Sequence, residues 1–254
     1  SAFFATWGSY LFENAFMGLL FGIVAGIVMS AVFGTFVLHF KSDPIVVGIA
    51  MNLSSWGLTS LLLFNIFHIR GSILDPRIKS FGSIHMPFLD GIPVVDEIFN
   101  NQNILVYMAF AVVILSQVVM YRTPFGLRLR GVGINDKAVQ TTGVSVVKYK
   151  WASLIITGVL AGAAGAFLPL SGISMFTENM SAGKGFLAVS AARIGKEDPL
   201  KAFFACFIFS FADALSVGLQ SFNIPSQLVL MAPYVVTIVV MCLTNLNELK
   251  KEAV

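Results

Sequence analysis

The chain has 254 residues, of which 57% are hydrophobic and only 11% are charged, and its formal net charge is +3. Soluble globular domains carry roughly 25% charged residues, so this composition, with a mean hydropathy of +0.85, excludes an ordinary soluble protein. The small net charge gives no indication of nucleic-acid binding.

Long uncharged segments predict membrane-spanning helices. About 20 apolar residues cross the hydrocarbon core as a helix, and uncharged runs of that length occupy residues 14–40, 44–69, 98–121, 151–177 and 214–247. We predict an all-α, polytopic membrane protein forming a single transmembrane domain over residues 1–254. Its roughly seven helices are expected at residues 16–38, 45–67, 104–120, 149–170, 185–194, 200–217 and 227–246.

The first twelve residues differ from a signal peptide, because they lack a charged n-region. We expect residues 1–12 to be part of a further helix whose first half lies upstream, so that the domain is truncated at its N-terminus.

The segment at residues 185–194 is too short to cross a bilayer, since a helix rises 1.5 Å per residue. Irregular backbone at membrane depth is tolerated only against protein or a water-filled path. We therefore expect a broken or re-entrant helix at the centre of the molecule. The alternative is one long tilted helix within residues 151–183, followed by a loop.

Basic residues predict the orientation, because cytoplasmic loops are enriched in Lys and Arg. Four basic residues are expected outside: Arg70, Arg77, Lys79 and Lys184. The other side collects Lys41, Arg122, Arg128, Arg130, Lys137, Lys148, Lys150, Arg193, Lys196, Lys201, Lys250 and Lys251. The segment 121–147 and the C-terminus are therefore predicted to be cytoplasmic.

Small residues recur along two predicted helices at helical spacing. One stripe is Gly18, Gly22, Gly26, Ser30 and Gly34, and the other is Gly158, Ala161, Gly162, Gly165 and Ala166. Small side chains allow membrane helices to approach closely, so both stripes are predicted to be packing faces and not ligand sites.

The basic segment 121–147 is punctuated by glycines and contains the signals of a short capped helix. Asn135 is a suitable N-cap for a helix from Asp136 to Thr142, and Gly143 is suited to end it in a left-handed conformation. A helix of this kind, docked in a groove of another protein, transmits movement as a rigid body. The pattern indicates a transport subunit driven by a partner.

Motifs of enzymes are missing from the sequence. A phosphate-binding P-loop requires Gly-x4-Gly-Lys-Ser/Thr, but Glu178 and Gly185 stand where the first glycine and the hydroxyl residue are needed around Gly183-Lys184. The histidines are scattered and form no His-Glu-x-x-His motif. An intramembrane aspartyl protease requires two carboxylates that share a proton, but Asp213 stands alone within the apolar segments. Cys206 and Cys242 lie in apolar segments and are interpreted as small buried residues. No cofactor is expected.

Asp213 lies within an apolar helix, where a charge is costly and is expected to face a partner or a polar cavity. It is equally compatible with a pathway or gate residue and with a carboxylate that hydrogen-bonds neighbouring helix ends. Asn52, Ser55 and Thr59 form a polar face on another helix. They are candidates for lining a path, although hydrogen bonds between helices are the more common use of such residues.

Three stretches of the chain resemble the permease subunits of bacterial ATP-binding-cassette (ABC) importers, in the branch that handles simple sugars and nucleosides. The first stretch is Thr123-Pro-Phe-Gly-Leu-Arg-Leu-Arg-Gly-Val-Gly-Ile-Asn135, with Ala138 and Thr142-Gly143-Val144. The second is Gly158-Val-Leu-Ala-Gly-Ala-Ala-Gly165. The third is Gly183-Lys-Gly-Phe-Leu-Ala-Val-Ser190, with Pro199 and Phe211-Ala-Asp-Ala-Leu215. The first resembles the family's cytoplasmic coupling loop. The segment Arg193-Ile-Gly-Lys-Glu-Asp198 is more charged than the usual glycine-rich link.

This resemblance implies a transport subunit without its own ATPase site, in the bacterial cytoplasmic membrane and in contact with its lipid. The implied partners are cytoplasmic ATP-binding subunits, a second permease subunit in a homo- or heterodimeric pore, and an extracellular substrate-binding lipoprotein. On this basis ATPase coupling is assigned to Arg128, Arg130, Gly133, Asn135, Asp136, Ala138, Thr142 and Gly143, and the translocation path to Asn52, Ser55, Thr59, Phe186, Ser190 and Asp213. The expected solute is a nucleoside or a simple sugar. The alternatives are an ion-coupled secondary transporter that uses Asp213 and a membrane scaffold that transports nothing.

Overall fold

The computed structural model describes residues 1–85, 100, 102–172 and 174–219, and most of them are helical. The helices are α1 (Ala2–Phe12), α2 (Ala15–Gly34, continued by a π-helical turn at Thr35–His39), α3 (Pro44–Phe67), α4 (Ile104–Arg122), α5 (Pro124–Ile134), α6 (Asp136–Thr141), α7 (Val146–Leu170), α8 (Lys184–Ile194) and α9 (Pro199–Leu219). The predicted helix at residues 227–246, with Cys242, lies outside the described residues.

Four of these helices are long and apolar enough to cross a membrane: Ala15–His39, Pro44–Phe67, Ile104–Arg122 and Val146–Leu170. Their outer faces are apolar as well, as on α3, where Ile45 is 72% exposed. Helices that are apolar on all sides belong in a membrane or a large core. The helical membrane architecture agrees with the sequence prediction, whereas the number of about seven membrane helices stays a prediction.

Local capping signals explain where many of the helices begin. Helices α2, α3, α4, α5 and α9 each follow a residue whose side-chain oxygen accepts a hydrogen bond from a backbone N–H of the first turn. These residues are Asn14, Asp43, Asn103, Thr123 and Asp198. Proline occupies the first helical position of α3, α5 and α9, where its missing N–H removes no helical hydrogen bond.

The prediction of a purely helical chain was incomplete, because the connecting segments also form short strands. Strand β1 (Ser72–Leu74) pairs antiparallel with β4 (Met175–Thr177), and β2 (Ser83–Ile84) pairs antiparallel with β3 (Gln102–Asn103). Strands this short carry almost no periodic signal, and β1 finds its partner about a hundred residues away, so the sequence alone did not reveal them.

The chain divides into two compact units. The first contains the described residues of the ranges 1–110 and 122–181, and the second contains residues 111–121 and the described residues from Ala182 onward.

The core of the first unit joins α1, α2 and α7 to the segment after α3. Phe3, Leu63 and Leu170 are almost fully buried in it. The Ser9 hydroxyl is also buried, and it both donates to the backbone oxygen of Lys79 and accepts from the Lys79 N–H, each at 2.9 Å. This pair of hydrogen bonds attaches the segment after α3 to α1 and satisfies the Ser9 hydroxyl, which would otherwise be costly to bury.

Helices α2 and α7 approach each other backbone to backbone, as the two small-residue stripes predicted. A methyl group added at Gly162 would lie 2.7 Å from the Ile23 Cα and 2.8 Å from the Gly22 carbonyl oxygen. The Ser30 hydroxyl donates a hydrogen bond across the pair to the Leu154 carbonyl oxygen. The stripes are therefore packing faces, and α2 and α7 form a closely packed pair.

In the second unit, α8 and α9 pack against each other through Ala191, Ala205 and Phe209, which are buried. The Asp198 carboxylate caps α9 and also accepts a hydrogen bond of 2.8 Å from the Tyr121 hydroxyl at the end of α4. That hydrogen bond lowers the pKa of Asp198 below its ordinary value. Helix α8 has 11 residues and is separate from α7, which ends at Leu170. This supports the predicted short helix over the alternative of one long helix.

Candidate functional site

The short capped helix of the basic segment forms as its local sequence dictates. The Asn135 side chain accepts a hydrogen bond of 3.1 Å from the Ala138 N–H, and Gly143 follows the helix with a φ of +81°. Helix α6 ends one residue earlier than predicted, at Thr141. The residues before it, interpreted from the sequence as a glycine-punctuated loop, form helix α5, with Thr123 as the N-cap and Pro124 in its first turn.

Helix α6 lies against both of its neighbours in the chain. A methyl group added at Gly131 of α5 would come within 3.1 Å of the Val139 side chain, so the glycine allows α5 and α6 to pack closely. On the other side, the Lys150 ammonium in the first turn of α7 donates a hydrogen bond of 3.0 Å to the Asp136 carboxylate. This hydrogen bond, together with the positive charge of Lys150, lowers the pKa of Asp136 below its ordinary value.

Helix α5 is attached to the same end of α7 by a second contact. The Arg128 guanidinium donates a hydrogen bond of 3.2 Å to the Tyr149 hydroxyl, and the Phe125 and Tyr149 rings lie 5.6 Å apart. Side-chain contacts thus join α5 to α6, α6 to α7, and α5 to α7.

The outer surface of this segment is exposed and partly apolar. Ile134, immediately before the N-cap of α6, is 87% exposed, and Leu127 is 65% exposed. Of the remaining residues assigned to coupling, Arg130 is half-buried, whereas Gly133, Ala138 and Thr142 are exposed. We refer to residues 127–143 as the coupling segment.

In the predicted polar face on α3, the described hydroxyl hydrogen bonds stay within the helix. The Thr59 hydroxyl donates to the carbonyl oxygens of Ser55 and Trp56 in its own helix, both at 2.9 Å, and the Asn52 side chain is exposed. Ser55 lines a cavity of about 490 Å³ whose other walls are mainly apolar side chains of α2 and α3, among them Met29. Hydrogen bonds from these residues to other helices are not observed among the described residues.

Asp213 faces a polar neighbour, as its position in an apolar helix required. The Lys184 ammonium at the start of α8 lies 3.6 Å from the Asp213 carboxylate. Both side chains line a cleft of about 230 Å³ between α8 and α9, together with Leu187, Ala188, Cys206, Phe209 and Ser210. We refer to this space as the α8–α9 cleft.

The two other residues assigned to the path lie on α8 but do not line this cleft. Phe186 is 70% exposed, and the exposed Ser190 hydroxyl donates a hydrogen bond of 3.0 Å to the Phe186 carbonyl oxygen. The structure therefore brings Asp213 together with Lys184, not with Phe186 and Ser190.

Sequence reasoning missed the partners of the charged residues it selected. From the sequence, Lys150 is assigned only to the basic side of the membrane, and Tyr149 only to the start of a predicted helix. Lys184 is an external basic residue in a stretch that lacks the P-loop pattern and resembles the family. One signal was present for Lys184: a carboxylate within an apolar helix requires a compensating charge, and few basic residues lie near the membrane on the predicted outer side.

Several known proteins similar to this chain are named as transport proteins. The family model for the permease component of the branched-chain amino acid transport system matches residues 1–241. The chain is 34% identical to the nucleoside ABC transporter permease protein NupC of Lactococcus lactis subsp. cremoris, over 94% of the chain and 76% of that protein. It is 33% identical to the guanosine ABC transporter permease protein NupQ of Bacillus subtilis, over 87% of the chain and 70% of that protein.

A third relative, the putative glucose ABC transporter permease protein TsgC13 of Haloferax volcanii, is 28% identical over 83% of the chain and 63% of its own length. No solved structure matches the chain. The family match covers nearly the whole chain, and the apolar helices agree with a multi-pass protein of the cell membrane. The chain belongs to the family of branched-chain amino acid transport system permease components, and it is a transport subunit of the ABC type.

Proposed function

We propose that this chain is a permease subunit of an ATP-driven importer of nucleosides, with simple sugars as the second solute class. The support comes from relatives whose names specify nucleosides or guanosine at 34% and 33% identity, against 28% for the relative named for glucose. The site that carries the proposal is the coupling segment, because it combines an exposed outer surface with direct attachment to a membrane helix.

The proposed assembly contains two permease subunits, identical or different, two cytoplasmic ATP-binding subunits and an extracellular substrate-binding lipoprotein. The excess of Lys and Arg in the segment 121–147 supports a cytoplasmic position for that segment and for the C-terminus. In this orientation the coupling segment faces the ATP-binding subunits.

The exposed surface of the coupling segment is suited to docking in a partner's groove. Ile134, beside the N-cap of α6, is almost fully exposed. Exposure of an apolar side chain to water is unfavourable, and burial in a partner would be favourable. Apolar anchors that fill a pocket contribute most of the energy of many interfaces. Ile134 is therefore the proposed anchor, and the Asn135 cap keeps α6 rigid behind it.

The attachments of α6 define the route by which movement enters the membrane. When ATP closes the two ATP-binding subunits, a displacement of α6 acts on α7 through the Asp136–Lys150 ion pair, and α5 adds the Arg128–Tyr149 contact. Because α7 and α2 pack backbone to backbone at Gly162, the two helices move together. Alternating access then follows from movement of this helix pair.

The ion-coupled alternative receives less support. Asp213 has a lysine ammonium 3.6 Å away, so its charge is already compensated by the protein and does not require a co-transported cation. The ABC names of the relatives also favour an ATP-driven mechanism.

Docking and transmission are tested separately with the full subunit in its native membrane. Ile134→Asp places a charge in the proposed docking surface, and we expect the ATP-binding subunit to be lost when the tagged permease is purified. Lys150→Met removes the ion pair inside the permease but not the docking surface. We expect this variant to keep the ATP-binding subunit and to hydrolyse ATP while importing much less guanosine.

The matched control is Lys148→Met, which removes a lysine of the same helical turn that is exposed and not joined to Asp136. It is expected to retain wild-type uptake. Normal guanosine uptake in both Ile134→Asp and Lys150→Met would contradict the coupling proposal. Uptake that persists on an ion gradient without ATP would instead support the ion-coupled transporter.

A further inference from the structure

The α8–α9 cleft combines one positive group, one negative group and an apolar wall, and the proposed coupling mechanism does not use any of them. Its residues come from one face of each helix: Lys184, Leu187 and Ala188 are spaced three and four apart on α8, and Cys206, Phe209, Ser210 and Asp213 repeat this spacing on α9. The cleft is therefore lined by the facing sides of two packed helices and not by a loop.

The charged pair in the cleft retains capacity for further hydrogen bonds. The separation of 3.6 Å satisfies the criterion for an ion pair but exceeds an ordinary N–H···O hydrogen bond. The Lys184 side chain is 59% exposed and that of Asp213 is 40% exposed. An ammonium has three donors and a carboxylate about four acceptor sites, so most of their hydrogen-bonding groups are available to a third molecule.

The chemistry of the pair selects a neutral solute with hydroxyl groups. A hydroxyl both donates and accepts, so adjacent hydroxyls of a sugar ring match a carboxylate and an ammonium that lie side by side. A charged solute would meet one favourable and one unfavourable charge. The Ser210 hydroxyl adds a neutral polar group, while Leu187 and Phe209 provide an apolar wall for the carbon face of a ring.

The size of the cleft limits what it holds. Sites for complete drug-sized ligands enclose about 300–1,000 Å³, and this cleft encloses about 230 Å³. A single sugar ring is of the appropriate size, whereas a complete nucleoside would extend beyond the cleft.

We propose that the α8–α9 cleft is a contact site for the hydroxylated sugar ring of the solute, with Asp213 as the hydrogen-bond acceptor and Lys184 as the donor. This inference rests on the proposed function, because it specifies which part of the nucleoside the permease itself recognises. The cleft contributes to solute selection in addition to the selection made by the binding lipoprotein.

The test compares guanosine with 2′-deoxyguanosine, which lacks one hydroxyl of the sugar ring. The complete importer is expressed in cells without other nucleoside uptake, and the ratio of the two uptake efficiencies is measured for wild type, Asp213→Asn and Lys184→Gln. The same binding lipoprotein serves all variants. A change in this ratio therefore reports a change in the selection made by the permease itself. Asn and Gln still offer a neutral hydrogen-bonding group, so each variant loses only the difference between a charged and a neutral hydrogen bond. We therefore expect the preference for guanosine to fall about fivefold.

The control is Glu197→Gln, which removes the exposed Arg193–Glu197 ion pair just after α8 and outside the cleft. It is expected to leave the ratio unchanged. In the contrary outcome, both variants lose uptake of guanosine and 2′-deoxyguanosine equally, so that the ratio stays constant. The pair then only holds α8 to α9, and the inference is wrong. Two variants are used so that poor membrane accumulation of one does not decide the result. A wild-type importer that takes up neither nucleoside would refute the assignment of nucleosides as its solutes, and the inference with it.

Discussion

The close packing of α2 on α7 leads to a prediction about Gly162. In Gly162→Ala the added methyl carbon would lie 2.7 Å from the Ile23 Cα, whereas ordinary contacts begin at 3.4 Å. The obstructing atoms belong to the backbone and cannot rotate away, so the helices must separate locally by about 0.7 Å. Overpacking of this kind typically costs roughly 1–3 kcal/mol.

A loss of this size is measurable in the purified protein. For a chain of 150–250 residues, each kcal/mol corresponds to a change of about 2–4 °C in the melting temperature, so we expect Gly162→Ala to lower it by several degrees. The assay is thermal unfolding of the purified permease in detergent, followed by loss of its monodisperse gel-filtration peak.

The matched controls are Gly48→Ala and Gly57→Ala, which also lie within an apolar helix. Added methyl groups at these positions have no atoms within 4 Å, and alanine favours helix formation over glycine. We expect no loss of stability in either variant. Equal melting temperatures for Gly162→Ala and the two controls would refute the argument that backbone contact between α2 and α7 holds the pair together.

Three further changes test smaller features of the fold. Asn135→Ala removes the cap of α6 and should destabilise that helix by about 1 kcal/mol, lowering ATP-driven uptake, and Asn135→Ser should restore it. Because the Lys150 hydrogen bond lowers the pKa of Asp136, the attachment of α6 should be complete at neutral pH and lost only as the pH falls through that lowered pKa. The fluorescence of Trp151, kept as the sole tryptophan, should therefore change only at acid pH, and Asp136→Asn should abolish this transition. Finally, Ser9→Ala removes both hydrogen bonds between the buried Ser9 hydroxyl and the Lys79 backbone and should cost about 1–3 kcal/mol in thermal unfolding.

Local signals in the sequence predicted most of the helices and one site element. The α6 cap was readable because Asn135 and the helix it begins are adjacent in the chain, and capping depends only on neighbouring backbone N–H groups. Helix α5 was missed because its three glycines suggested a loop. Thr123 followed by Pro124 was the available signal for its start.

The sequence by itself determined a helical membrane protein, the close packing of two glycine-rich helices and a capped helix in the basic segment, because each follows from apolar length or from residues at short, regular spacing. Only the tertiary structure decided which charged groups meet. Asp136 pairs with Lys150 and Asp213 with Lys184 through the packing of different helices, and no rule of local spacing relates the members of either pair. The reason is physical: the attraction between two charges depends on the distance between them, and for residues on different helices that distance depends on how the helices are arranged in space.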